Sequence, residues 1–252
     1  MAHNRPTPLA SVDPTRRKAT SHLNKLAASN FDSISDQIIT MINQSAEEDD
    51  SSTLCSFVRL LTETAISQPL RSEMYSRLSR KMMEEISPTV HDNGIKNDKG
   101  NAICGGQLFR KYFLSGLQVG FDRGLRLSGT EGTKEAFLGI MRLLSEIFAV
   151  RMLTERIMHE CIKGCFTSPL ASRGAETAIE AFCILMETAG SLLDTPKAIA
   201  HIDAYFAHID DWIRDETIPT RVQFMVQDIA DLRTRSWVPL RQSETEYNPQ
   251  VC

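Results

Sequence analysis

Apolar residues recur every three to four positions along most of this chain. Phe31, Ile34, Ile38 and Ile42 make one stripe, Leu54, Val58, Leu61 and Ala65 a second, and Met74, Leu78, Met82 and Ile86 a third. Phe109, Tyr112, Phe113 and Leu117 continue the series, followed by Phe137, Ile140, Met141, Leu144 and Phe148. Then come Leu153, Ile157 and Cys161; Ile179, Phe182, Leu185, Met186 and Ala189; Tyr205, Phe206, Ile209 and Ile213; and Val222, Met225, Val226 and Ile229. That spacing belongs to helices with one buried face, and the strict alternation of half-buried strands is nearly absent. Pro69, Pro88, Pro169, Pro196 and Pro219 punctuate the pattern where helices begin or end. Ser33-x-x-Asp36 and Thr177-x-x-Glu180 have the spacing of capping boxes.

The helices pair in sequence: 15–27 with 31–43, 51–67 with 70–86, 105–125 with 132–150, 153–166 with 175–191, and 196–214 with 219–233. A lone hairpin cannot bury its apolar face, so stacking must supply the core. The fold expected is all-α: an α-solenoid of five HEAT-like antiparallel helical hairpins of ~40 residues, forming a crescent. Residues 1–14 carry three prolines and read as a flexible N-terminal segment, and 242–252 as a flexible tail. The acidic run Glu47–Asp50 and the long polar stretch 87–104 read as mobile loops.

Composition narrows the function. At 252 residues, with 42% hydrophobic and 24% charged content, the chain is that of a globular protein. No apolar run approaches the ~18 residues of a membrane span, and the N-terminus lacks the apolar core of a secretory signal. Six cysteines without a CxxC pair read as reduced thiols, and the expected location is cytoplasmic. A net charge of −4 argues against a generic nucleic-acid binder. The charge is uneven: residues 1–130 hold 16 basic and 14 acidic side chains (+2), and 131–252 hold 12 and 18 (−6). RNA contact is therefore expected in the first half, and a protein partner with a basic face suits the second.

Candidate chemistry is sparse. Arg71, Arg77, Arg80 and Lys81, with Arg110, Lys111 and Arg123, form the densest basic set. They read either as solvated helix faces or as a weak phosphate-contacting surface. His201, Asp203, His208 and Asp210 repeat H-I-D seven residues apart. Residues at that spacing on one helix lie ~10 Å apart along the axis, too far for one ion. Cys161 and Cys165 are one turn apart and read as core. No phosphate-loop, dinucleotide or nucleophile-elbow motif occurs, so no cofactor, metal or catalytic residue is expected.

Longer segments carry a resemblance. Met74 to Tyr112 runs MYSRLSRKMMEEISPTVHDNGIKNDKGNAICGGQLFRKY; LNKL precedes FDSISDQI; and TRVQFMVQDIADLRTRSWVP lies near the end. Together they resemble the middle, HEAT-repeat domain of eukaryotic translation initiation factor 4-gamma, of fungal type, over residues 15–241. The resemblance implies an adaptor and not an enzyme: a translation initiation scaffold that binds and stimulates the DEAD-box RNA helicase initiation factor 4A and binds mRNA weakly, without sequence specificity. It places the helicase's C-terminal lobe at Leu23, Leu26 and Phe31, and its N-terminal lobe at Arg221 and Phe224. Leu23, Leu26 and Phe31 read equally well as core, and Phe224 as a core residue beside a solvated Arg221. Two positions depart from the family pattern: Gln223 where a basic residue is usual, and Leu125 where an aromatic follows Phe121-x-x-Gly124. The family's cap-binding-protein peptide, Y-x4-L with an apolar residue next, lies upstream of this domain. Tyr112 to Leu117 has the spacing, but Gln118 follows within a helix, so this chain alone is not expected to reach the cap-binding protein. Other readings are a related helical adaptor of mRNA decay or nuclear cap binding, and a stand-alone relative that sequesters the helicase.

Overall fold

The structure, a computed structural model, describes residues 14–127, 132–167, 175–214 and 218–239. The expected tail and all of the N-terminal segment except Pro14 lie outside them. Among the described residues are ten α-helices: α1 (Pro14–Lys25), α2 (Phe31–Asn43), α3 (Ser52–Ser67), α4 (Ser72–Glu85), α5 (Gly105–Leu127), α6 (Thr133–Ala149), α7 (Glu155–Thr167), α8 (Ala175–Leu193), α9 (Ile199–Ile213) and α10 (Thr220–Thr234). The all-α paired-helix reading holds, with boundaries within a few residues of those the periodicity predicts. No helix among the described residues is long and apolar enough to cross a membrane. By packing the chain forms two compact units: residues up to Thr64 with Lys81–Gly116, and Ala65–Arg80 with residues from Leu117 onward. The division passes within α3, α4 and α5.

In the first unit α1 packs on α2. Ala19 and Leu23 of α1 are buried, as are Phe31, Ile34, Ile38 and Ile42 of α2. Each such Leu or Ile contributes roughly 1.5–3 kcal/mol of transfer free energy. Asn30 makes the corner between the helices: its Oδ1 accepts the Ala27 N–H at 2.7 Å and its Nδ2 donates to the Lys25 carbonyl at 2.9 Å. Ser33 and Asp36 therefore lie inside α2, not at its start, and Thr177 and Glu180 lie inside α8. Both capping-box expectations fail because the segments upstream already continue the helices.

The acidic run and the polar loop also differ from expectation. Glu48 caps α3, accepting from the Thr53 N–H at 2.8 Å and the Thr53 hydroxyl at 2.6 Å. A carboxylate at that end also complements the helix dipole. Residues 91–104 form an antiparallel hairpin, β1 (His91–Lys96) with β2 (Ala102–Cys104). Its turn is set by Asn97, whose Oδ1 accepts the Lys99 and Asn101 N–H groups at 3.0 and 2.9 Å, with Gly100 at φ +80. Asn and Gly are the residues that such a turn selects. The hairpin is pinned on both sides. The Asn93 N–H donates to the Asp49 carbonyl at 3.0 Å, and the Tyr112 hydroxyl donates to Asp92 Oδ2 at 2.5 Å. That same hydroxyl lies 3.0 Å from Ser51 Oγ.

The Tyr112–Asp92 bond makes the hairpin acid-sensitive. The phenol holds the Asp92 carboxyl below the ordinary range, while burial, then the carboxylate, pushes the phenol up to about 12. A carboxyl lowered in the folded state contributes stability above its unfolded pKa of ~4, and loses it as pH falls through the folded value. Amide protection at Asn93 should therefore drop below pH ~4 in the native chain. In Tyr112→Phe protection should be weak already at neutral pH and less sensitive to acid. Equal acid profiles for the two would show that this bond does not pin the hairpin.

The second unit is built around α8, against which α6, α7 and α10 pack. Residues Thr177 to Cys183 are buried without interruption, as expected of a helix covered on every side. Of the predicted stripe, Leu153 and Cys161 are buried and Ile157 is exposed; Met158, Ile162 and Cys165 complete the buried face of α7. The Thr154 carbonyl accepts from the Ile157 and Met158 N–H groups at the start of this helix.

Candidate partner-binding surfaces

Leu23, Leu26 and Phe31 are 1%, 2% and 8% exposed. The structure thus places them in the core of the first unit, and the expectation that they present an open contact surface is corrected. The Asn30 corner is the physical cause: it turns the chain so that Leu26 and Phe31 point inward with Leu23.

Phe224 is the opposite case. It lies on α10, 66% exposed, while Val222, Val226 and Ile229 are buried. Arg221, one turn earlier, is tied into an ion network joining three helices. Its Nη2 meets Glu176 Oε1 at 2.8 Å and also pairs with Glu180 Oε1. Lys134 of α6 reaches the same two carboxylates at 3.2 and 2.9 Å. Glu180 is buried, and two cations answer two anions. The bond to Glu180 raises the already high pKa of Arg221, and the bond from Lys134 leads the causes that lower that of Glu176. Arg221 therefore orients α10 and fixes the azimuth at which Phe224 leaves the surface. Arg221→Ala should cost about 1 kcal/mol, because its side chain is 57% exposed and solvent screens the pair, while Lys134 still answers Glu180. Urea unfolding measures this; no change would mean that the network is loose in solution.

The segment following Phe224 has a structural role that the sequence reading missed. Arg233 Nε donates to Asp194 Oδ2 at 2.9 Å and its Nη2 to Asp203 Oδ1 at 2.5 Å, with the guanidinium 4.7 Å from the Phe206 ring centroid. Trp237 Nε1 donates to the same Asp194 oxygen at 3.1 Å. The indole lies against Gly190, where a Cβ would come within 2.1 Å of the ring. The D-L-R-x3-W spacing was the available signal: Arg and Trp four residues apart straddle the end of α10 and meet one carboxylate.

The basic set divides between the two units. Arg71, Arg77, Arg80 and Arg123 belong to the second unit, and Lys81, Arg110 and Lys111 to the first. Lys81, Arg71 and Arg80 make contacts within the fold. Lys81 Nζ donates to Asp36 at 2.6 Å and to Ser35 Oγ at 2.9 Å. Arg71 donates to Gln68 Oε1 at 2.9 Å and lies over the Tyr75 ring. Arg80 faces the Val150 and Arg151 carbonyls at 3.5 and 3.4 Å. Arg110 is half-buried, and Arg77, Lys111 and Arg123 are exposed.

The remaining candidates are structural. His159 Nδ1 lies 3.0 Å from the Tyr205 hydroxyl, the His159 and His201 rings are 5.4 Å apart, and His208 stacks on Phe166. Asp203 is taken by Arg233, and no group of three potential metal ligands gathers among the described residues. Cys161, Cys165 and Cys183 are buried. Burial pushes the thiols of Cys161 and Cys183 up to about 12 and raises that of Cys165 as well. Leu117 is buried and the Tyr112 hydroxyl is bound to Asp92, so neither is presented as a peptide ligand.

Paired helices packed into two compact units define an all-α, HEAT-like helical domain. Residues 16–236 match the MIF4G domain, and the chain belongs to that family. It is 36% identical over 96% of its length to eukaryotic translation initiation factor 4 gamma of Schizosaccharomyces pombe, of which it covers 18%. It is 28% identical over 89% of its length to eukaryotic translation initiation factor 4 gamma 1 of Mus musculus, covering 15% of that protein. The chain thus spans less than a fifth of these relatives. The crystal structure of the MIF4G domain of Trypanosoma cruzi translation initiation factor EIF4G5 superposes with a TM-score of 0.53 at 13% identity, covering 93% of this chain and 99% of that one. That likeness is one of fold.

Proposed function

We propose that this chain is a translation initiation scaffold domain that binds the DEAD-box RNA helicase initiation factor 4A and stimulates it, working in the cytoplasm. The observation that supports this best is Phe224, a large apolar side chain exposed on α10 beside an arginine held in place by Glu176 and Glu180. Aromatic residues with neighbouring arginines are common anchors of protein interfaces. The opposite end of the chain contributes through the polar face of α1 and α2, which the buried Leu23, Leu26 and Phe31 hold in register. The helicase hydrolyses ATP; this domain shifts its population toward the productive arrangement of the two lobes. A tenfold shift requires ~1.4 kcal/mol of differential binding, within reach of modest contacts. mRNA is a secondary, sequence-independent ligand, met on each unit by itself: by the exposed Lys111 of the first, and by the exposed Arg77 and Arg123 of the second.

The test is the RNA-dependent ATPase rate of the helicase with and without this chain, beside a binding titration. Binding with a raised rate is the expected result. Binding with an unchanged or lowered rate would replace stimulation by sequestration, and no binding would remove the helicase from the reading. For RNA, Lys111→Glu with Arg123→Glu should lower the slope of log K against log salt by about 2; an unchanged slope would exclude these two side chains.

A further inference from the structure

Leu70 is the most exposed large apolar residue described, at 101%. It sits in the short 3₁₀ turn Pro69–Arg71 that joins α3 to α4. A tight turn leading into a helix is ordinarily polar, so a leucine standing fully in solvent there calls for an explanation. Beside it opens a groove of about 510 Å³, lined by the apolar Leu138, Gly139 and Ile184, the carboxylates Glu73, Glu135 and Glu146, and Arg142. All of these residues belong to the second unit.

Among the described lining residues three carboxylates outnumber one cation, Arg142. Among the described residues the Glu73 and Glu146 side chains take no hydrogen bond or ion pair, and the hydrogen bonds of these residues are to their backbone carbonyls. The Glu135 carboxylate turns to the Gly132 N–H at 2.7 Å. The nearby cations are committed elsewhere: Arg142 to Glu187 at 2.8 Å, Lys134 to Glu176 and Glu180, and Arg71 to Gln68 and the Tyr75 ring. Burial, then the charges of Glu73 and Glu187, raises the Glu146 pKa against the opposing Arg142. Like charges gathered around a partly dehydrated carboxylate cost stability, and an incoming cation relieves that cost.

We propose that this groove docks a protein segment that lays a large apolar side chain on Leu70 and places a lysine or arginine between Glu73 and Glu146. The apolar contact supplies burial and the carboxylates supply orientation and sign. A carboxylate-bearing segment or a nucleic acid backbone would meet the wrong charge. The site lies apart in sequence from Arg221 and Phe224 and does not depend on the helicase reading.

The probe is a short fluorescent peptide with leucines flanked by lysine and arginine, beside the same peptide with glutamate at the basic positions. Anisotropy should show binding of the first and not the second. Glu73→Gln with Glu146→Gln should weaken binding at least tenfold, and Leu70→Ser several-fold, without lowering the melting temperature, since neither change opens a cavity. Glu47→Gln with Asp98→Asn, which remove carboxylates elsewhere, and Phe224→Ala should leave binding unchanged. Affinity unaffected by the Glu73 and Glu146 pair, or lowered equally by the Glu47 and Asp98 pair, would overturn the proposal in favour of diffuse charge attraction.

Discussion

Leu23→Asp is expected to unfold the first helical pair, whereas Phe224→Ala leaves the fold intact and weakens helicase binding. Leu23 is 1% exposed. Removing a buried leucine costs ~2–5 kcal/mol, and the aspartate adds a carboxylate with no cation waiting for it. A total of at least ~4 kcal/mol lowers the melting temperature by on the order of 10 °C in a domain of this size. Phe224 is 66% exposed, so its truncation removes little internal packing and should move stability by less than ~0.5 kcal/mol. At an interface the same truncation removes an aromatic anchor, worth ~2 kcal/mol or a roughly 30-fold weaker complex. Calorimetry and a binding titration on both variants separate core from contact. A Leu23→Asp protein that melts normally would mean that α1 does not pack as described. A Phe224→Ala protein that melts early would mean that this ring is covered in solution.

The second large effect is at Gly106, the second residue of the GGQLFRKY segment. A Cβ there would lie 1.8 Å from the Met83 carbonyl oxygen, a backbone atom that no rotamer change can move. Helix α5 must back away from α4, taking Phe109 and Phe113 out of a core in which both are fully buried. Overpacking of this kind costs ~3 kcal/mol or more. Gly105, with φ +58, is also constrained, and its N–H closes the hairpin on the Val90 carbonyl at 2.7 Å. Gly100→Ala makes the comparison: φ is +80 there but no atom lies within 4 Å of the added carbon, so only backbone strain of ~1 kcal/mol remains. Urea midpoints for the two variants should differ accordingly, with unchanged slopes. Equal losses would show that conformation, not close approach, selects glycine at both places.

Sequence alone determined the helices. A period of three to four apolar positions is a local signal, and so are the prolines at the ends, so the ten helices among the described residues could be read directly. The family segments were legible for a related reason: GGQLFRKY and DLR-x3-W are strings in which close neighbours act together, one at a helix start and one at a helix end. What only the tertiary structure decided is which side of each apolar residue finds a partner. Leu23 and Phe224 are both large apolar residues on amphipathic helices; one is turned inward by the Asn30 corner and the other is left outside by the Arg221 network. The same holds for charge. Lys81, Arg71 and Arg80 look like part of a basic surface until Asp36, Tyr75 and the Val150 and Arg151 carbonyls are brought to them, and Glu73 and Glu146 look like ordinary solvated acids until folding brings them, distant in sequence, to one groove. Periodicity fixes the face of a helix; contacts distant in sequence fix what that face meets.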